Sequence, residues 1–240
     1  MKKILVPVLL AAAFFLAPQA QAASFDDLMK GVRIPAGLSR DDSTTVSGLK
    51  EALSVGTDRA VKSVSRTDGY FKDQAIKILM PETIQKAADV LKMAGYSKEV
   101  DDFVLSMNRA AEKAAPEATA IFVDAIKQMS FEDAGKILNG GNTAATDYFK
   151  TKTSGRLFER FKPIVSTSMN EVGVTRSYKA MTEKYTSAAP FMKMESLDLD
   201  RYVTNKALEG LFFKLGQEEK AIRTNPAART TELLRKVFGQ

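Results

Sequence analysis

The sequence predicts an all-α fold, a single multi-helix domain, and three observations carry that expectation. Apolar residues return at steps of three and four along most of the chain, which places them on one face of a helix. Ser-led tetrapeptides ending in a carboxylate stand just before several of these stripes and read as helix N-caps. Alternation with period two occurs once, over a few residues only, so at most one short β-hairpin is expected, around residues 67–80.

The first segment lies outside that domain. Met1-Lys2-Lys3 is a short positive region, Ile4 to Leu16 is apolar apart from Pro7, and Ala20-Gln21-Ala22 supplies small residues where a signal peptidase reads them. Residues 1–22 are therefore expected to be a cleaved secretory signal, with cleavage set by Ala20 and Ala22. Residues 23–240 form the exported, periplasmic helical domain. The apolar run falls short of the ~20 residues that span a bilayer.

Within the domain, Ser24-Phe25-Asp26-Asp27 starts a short helix that Gly31 limits, and Pro35 and Gly37 mark a loop. Ser39-Arg40-Asp41-Asp42 repeats the cap, and Val46, Leu49, Leu53, Ala60 and Val64 follow as one stripe weakened by Gly48 and Gly56. Thr67-Asp68-Gly69 is a turn signal. Ile76 and Ile78 flank Lys77 ahead of Pro81, a pattern that predicts a strand there. Pro81 fits the first position of a helix through Ile84, Ala87, Ala88 and Leu91, ending at Gly95.

Ser97 is placed to cap the helix with the most regular stripe, from Val100 through Phe103, Val104 and Met107 to an alanine-lined end at Ala110, Ala111 and Ala114. Pro116 interrupts it before a helix carrying Ile121, Phe122, Ala125 and Ile126. Ser130-Phe131-Glu132-Asp133 caps a short helix that Asn139-Gly140-Gly141 stops. A helix from Thr143 carries Tyr148, Phe149, Leu157, Phe158 and Phe161, a new one is expected to follow Pro163 as far as Val172, and another spans 175–185. Residues 187–196 read as a connector. Asp198 and Asp200 then open a helix bearing Leu208, Leu211, Phe212, Leu215 and Ile222, which Asn225-Pro226 breaks before Leu233, Leu234, Val237 and Phe238.

The composition excludes much chemistry. With no His and no Cys there is no His-based triad, no thiol nucleophile, no disulfide and no ordinary zinc site. No cofactor is expected, and no calcium-loop spacing occurs among the acids. Ser47-x-x-Lys50 matches a serine–lysine motif without its companions, and Tyr148-x-x-x-Lys152 and Tyr202-x-x-x-Lys206 lack the glycine-rich loop that would make them a reductase pair. Of five adjacent acid pairs, four lie near predicted helix starts, where carboxylates stabilise exposed N–H groups.

Glu218-Glu219 is the exception, since it lies near a helix end. Arg223 is one turn on, and Arg229 follows beyond the proline. Asn108, Arg109 and Glu112 similarly cluster within one turn beside the alanine stripe. With Tyr148, these residues (Asn108, Arg109, Glu112, Tyr148, Glu218, Glu219, Arg223 and Arg229) form the candidate polar network, either a ligand site or a structural clamp between helices.

Four blocks of residues carry a family resemblance. They are Asn108-Arg109-Ala110-Ala111-Glu112, Ala144-Ala145-Thr146-x-Tyr148-Phe149, Tyr202-Val203-Thr204-x-Lys206-Ala207-Leu208, and Glu218-Glu219-x-x-Ile222-Arg223-x-Asn225-Pro226-x-x-Arg229-Thr230-Thr231. Together they resemble an uncharacterised domain-of-unknown-function family of secreted, mostly Gram-negative bacterial proteins, from about Phe25 to Gly239. The resemblance implies a helical domain outside the cytoplasm, and it brings no reaction, ligand or site residue.

Two functional expectations remain. The first is a non-enzymatic binding or envelope-associated protein that holds an apolar ligand or envelope component. The last forty residues hold eight Lys/Arg against four Asp/Glu, which permits at most peripheral membrane contact and is too modest to suggest nucleic acid. The alternative is a hydrolase acting on cell-wall glycan or peptide through paired carboxylates, for which Glu112 with Glu218 or Glu219 are the candidates.

Overall fold

A computed structural model describes residues 40–171 and 198–232, together with residues 178–180, 183–184, 187 and 235. Residues 1–22 with Ala20 and Ala22, the helix expected from Ser24, the expected Ser39 cap, most of 175–185 and 187–196, and most of the closing stripe lie outside the described residues. Among the described residues seven α-helices can be bounded: α1 (Arg40–Ser65), α2 (Glu82–Met93), α3 (Ser97–Ala114), α4 (Ala118–Gln128), α5 (Phe131–Leu138), α6 (Ala144–Glu171) and α7 (Leu199–Thr224). Tight 3-10 turns occupy Ala115–Glu117, where Pro116 sits, and Pro226–Ala228. Among the described residues there is no strand, and no helix is long and apolar enough to cross a membrane.

α7 is the hub. It packs along α6 and α1 and also meets α3. Glu219, near its C-terminus, bonds Ala145 and Thr146 at the start of α6, so the two long helices run antiparallel. Phe122 of α4 places its ring edge against Phe149 of α6 at 5.1 Å and Phe212 of α7 at 6.2 Å, joining three helices in one aromatic cluster. Each such buried ring contributes about 1.5–3 kcal/mol. The alanine end of α3 is wholly buried at Ala110, Ala111 and Ala114, and α3 packs against α6.

Two capping signals hold, at Ser130 and Asp198. Ser130 and Asp133 make a reciprocal capping box on α5, and the Asp198 carboxylate accepts from the Arg201 N–H at 2.9 Å to start α7. Asn225 breaks α7 and accepts from the Ala227 N–H in an Asx turn. Two boundaries shift by one position: Tyr96, not Ser97, occupies the N-cap of α3, and Pro81 stands at the N-cap of α2.

The helix expected through Gly48 and Gly56 is observed: α1 is unbroken, because Leu49, Leu53, Ala60 and Val64 on neighbouring turns are all buried and fix it against the core. Two expectations are corrected. α6 runs through Pro163. Proline removes one N–H, but Glu159, Arg160 and Lys162 on that side are exposed, so water serves the freed carbonyl while Phe161 and Val165 hold the helix to the core.

The second correction concerns residues 67–80, which form no hairpin. Residues 66–76 make successive turns and 77–81 run without regular hydrogen bonding. The alternation is nonetheless real: Ile76, Ile78 and Met80 are buried, whereas Leu79 is exposed. What is missing is a second strand. The Asn108 side chain of α3 takes its place, donating to the Ile78 carbonyl at 2.8 Å and accepting from the Ile78 N–H at 2.9 Å. A side-chain amide thus presents Ile78 with the same donor and acceptor that a neighbouring peptide would.

Candidate functional site

Residues 66–81 form a strap stretched between α3 and α7, and the polar residues singled out in the sequence are what hold it. Asp68 adopts a left-handed conformation (φ 66°), tolerated by Asp, and Gly69 follows where any Cβ would lie 2.6 Å from the Ser63 and Val64 carbonyls. Glu112 reaches this turn from α3. One of its oxygens accepts the Tyr70 and Phe71 N–H groups at 3.1 and 3.2 Å, and the other accepts Arg109 at 2.6 Å. Arg109 continues to Asp68 at 2.6 Å, and Lys72 closes the chain on the second Asp68 oxygen at 2.7 Å. These two hydrogen-bonded cations hold the Asp68 carboxyl below the usual carboxylate range.

On the other side the strap is tied to α7. The buried Tyr70 phenol donates to the Ala207 carbonyl at 2.6 Å, and its ring lies where a Cβ on Gly210 would need to be. Burial pushes that phenol well above its ordinary value, so it stays a donor. Tyr202 donates to the Leu79 carbonyl at 3.0 Å, and Lys214 pairs with Asp73 at 2.6 Å.

The second polar cluster is separate and shares no residue with the first. The Glu219 carboxylate accepts the Ala145 and Thr146 N–H groups at 2.9 and 2.8 Å, the Thr146 hydroxyl at 2.8 Å, and the Arg223 guanidinium at 2.9 Å. It caps the N-terminus of α6 from another helix, which satisfies donors that no residue of α6 itself serves. Arg223 also donates to the Ile137 carbonyl at the end of α5, and Arg229 donates to the Ile222 and Arg223 carbonyls at the end of α7. Glu218 is half-exposed and 3.8 Å from Arg59. Tyr148 stands apart from both clusters. It donates to the Ala125 carbonyl at 2.9 Å, and burial raises its phenol to about 12.

The cavity beside Glu219 and Arg223 holds about 20 Å³ and is otherwise lined by Leu49, Leu53, Ile137, Leu215 and Ile222. That is room for one water at most. The carboxylates of Glu112 and Glu219 are each engaged by two backbone N–H groups and an arginine. Among the described residues no group of acids is arranged to hold a metal ion.

Open space lies elsewhere, along the N-terminal half of α7. A groove of about 800 Å³ runs between the strap and α7, lined by Ile76, Leu79, Pro81, Tyr202, Lys206 and Phe213. Past Glu209 and Phe213 it meets a second hollow of about 680 Å³ between α7 and α6, lined by Phe158, Leu208 and Phe212. Leu79 is 61% exposed and Phe213 46% exposed, and both face this groove, whereas the exposed Met93 stands alone at the end of α2. The floor carries one internal ion pair, Lys206 with Glu209 at 2.7 Å.

The sequence named Tyr202 and Lys206 without a role and did not single out Leu79 or Phe213. Phe213 falls just outside the stripe through Leu211, Phe212 and Leu215, and an aromatic residue off the buried face was the available signal. Leu79 was the outward member of the period-two pattern.

A family model described as a protein of unknown function (DUF4197) matches residues 39–239. No curated protein and no solved structure matches the chain.

Proposed function

We propose a function for a chain that belongs to the DUF4197 family, whose description assigns none: it is an exported binding protein that receives a partner or apolar ligand in the groove along α7. The observation that carries the reading is Leu79 and Phe213, two large apolar side chains left exposed on opposite walls of one groove. Exposed apolar side chains grouped in a concavity of ~300–1,000 Å³ are characteristic of binding sites, while scattered ones are ordinary. The polar clusters support the same reading indirectly. Asn108, Arg109 and Glu112 set the position of the strap, and so shape one wall, while Glu219 and Arg223 fix the ends of α5 and α6. Export rests on the Met1–Ala22 pattern and places the partner in the cell envelope.

The test is native mass spectrometry of the full chain recovered from the cell envelope, alongside binding of the apolar dye anilinonaphthalene sulfonate. A retained mass in the wild type, and dye fluorescence that drops in a Leu79→Ser, Phe213→Ser double variant, are expected. A bare wild-type mass together with equal dye binding by both proteins would end the proposal.

A further inference from the structure

The strap is an unfinished sheet edge, and we infer that the groove takes an extended peptide from a partner protein, added as a strand beside Lys77–Leu79. The inference rests on the groove reading and names its ligand class. Ile78 turns its N–H and carbonyl to Asn108, on the α3 side. In an extended segment the next residue's groups point the opposite way. Leu79 follows this rule, since its carbonyl meets the Tyr202 hydroxyl across the groove. Its N–H, directed to that same edge, has no partner among the described residues, and neither has the Lys77 carbonyl. One edge of the strap is thus closed by a side chain that imitates a peptide. The other is half closed by a tyrosine and leaves a donor and an acceptor facing open space.

That arrangement suits strand addition, in which main-chain bonds give affinity and alternate side chains give selectivity. The side chains on the outward face are Lys77 and Leu79, two residues apart. Leu79 offers an apolar contact in the same groove as Phe213. Lys77 lies over the Phe71 ring at 4.3 Å and has no carboxylate partner among the described residues. Cross-strand neighbours pair by chemistry, apolar with apolar and opposite charge with opposite charge. The peptide therefore carries an apolar residue opposite Leu79 and an acidic residue two positions away, opposite Lys77. The second hollow past Phe213 gives the strand room to continue toward α6.

The experiment is selection of a displayed library of short random peptides on the immobilised full chain, repeated on Lys77→Glu and Leu79→Pro variants whose folding is checked by circular dichroism. Peptides enriched on the wild type are expected to hold an apolar and an acidic residue two apart. The Lys77→Glu variant is expected to enrich a basic residue at the acidic position instead. Leu79→Pro, which deletes the free N–H, is expected to weaken selected peptides by about tenfold. Hydrogen exchange at Leu79 in the wild type should slow when such a peptide is added, which gives a readout independent of any variant.

Enriched peptides without the pattern, indifferent to both substitutions, would overturn the strand inference. So would failure to enrich any peptide while anilinonaphthalene sulfonate still binds the wild type and not the Phe213→Ser variant, an outcome that leaves the groove itself intact as an apolar site. If neither peptide nor dye binds, the strand inference and the groove reading fall together.

Discussion

Glu219 and Thr204 are both buried on α7, yet removing their polar atoms should have opposite effects. Glu219 serves two helix N–H groups, a hydroxyl and an arginine, so truncating it orphans the start of α6 and removes the carboxylate that Arg223 pairs with. Glu219→Ala is expected to cost about 3–5 kcal/mol in urea unfolding. Glu219→Gln should cost less, since an amide oxygen still accepts from the helix. Thr204 is fully buried and its hydroxyl has no hydrogen-bond partner among the described residues. Thr204→Val keeps the shape and removes an unmet polar atom, so a gain of about 1 kcal/mol is expected in the same assay. A loss on Thr204→Val would mean that the hydroxyl is bonded in solution. The sequence flagged Glu219 because an acid near a helix C-terminus opposes the dipole. Its target was not legible there, since Ala145 and Thr146 are seventy-odd residues away and only the packing of α6 on α7 brings them close.

The strap is the element where sequence and structure part most instructively. The period-two pattern over Ile76 and Ile78 and the bias before Pro81 correctly mark extended chain. Strand identity, however, depends on a partner, and the partner is one asparagine thirty residues on. Local pattern reports which side chains point inward, not what completes the hydrogen bonds. Asn108→Ala should therefore orphan two buried peptide groups and cost about 2–4 kcal/mol. Hydrogen exchange should accelerate first at Ile78. If protection of Ile78 is unchanged, the amide is not the strap's main fastening. On the α7 side, Gly210 is the matching requirement: a Cβ there would stand 2.6 Å from the Tyr70 ring and 3.1 Å from the Ile76 Cβ. Gly210→Ala should favour α7 as an isolated helix and still destabilise the protein by about 1–3 kcal/mol, because the buried ring cannot yield. A thermal melt that rises with this substitution would show the strap to be looser than its contacts imply. By contrast α6 ran past its expected stop at Pro163 because the missing bond falls on the exposed side, information that helical spacing alone does not supply.

At the scale of the molecule, the all-α architecture was legible because long amphipathic stripes report burial directly, whereas the groove was not, because it is made where two stripes and a strap fail to meet. The same composition that narrowed the chemistry also sets the response to pH. With no histidine, no side chain of ordinary pKa titrates between about pH 5 and 8, so stability should be flat across that window. Below it, Asp73, lowered chiefly by its bond to Lys214, and Asp124, lowered chiefly by Arg156, are held under their unfolded values. Depressed carboxylates stabilise the fold above the unfolded pKa, and that contribution is lost as pH falls below about 4. The alkaline side turns on Lys50, which is 7% exposed, has no carboxylate partner among the described residues, and is lowered by desolvation. A lysine lowered in the folded state costs stability while it is charged in both states. The penalty fades as pH rises from the folded pKa towards the unfolded one, near 10.4. Lys50→Met should thus raise Tm by a few degrees at pH 7, and its advantage should shrink as the pH is raised towards the unfolded value near 10.4. The comparison must be made as a difference between variant and wild type, because the Tyr70 phenol, raised by burial, is lost as a stabilising group in both proteins above pH 10. An advantage that stays constant with pH would show that Lys50 pays no desolvation, and that the gain comes from the methionine's own packing.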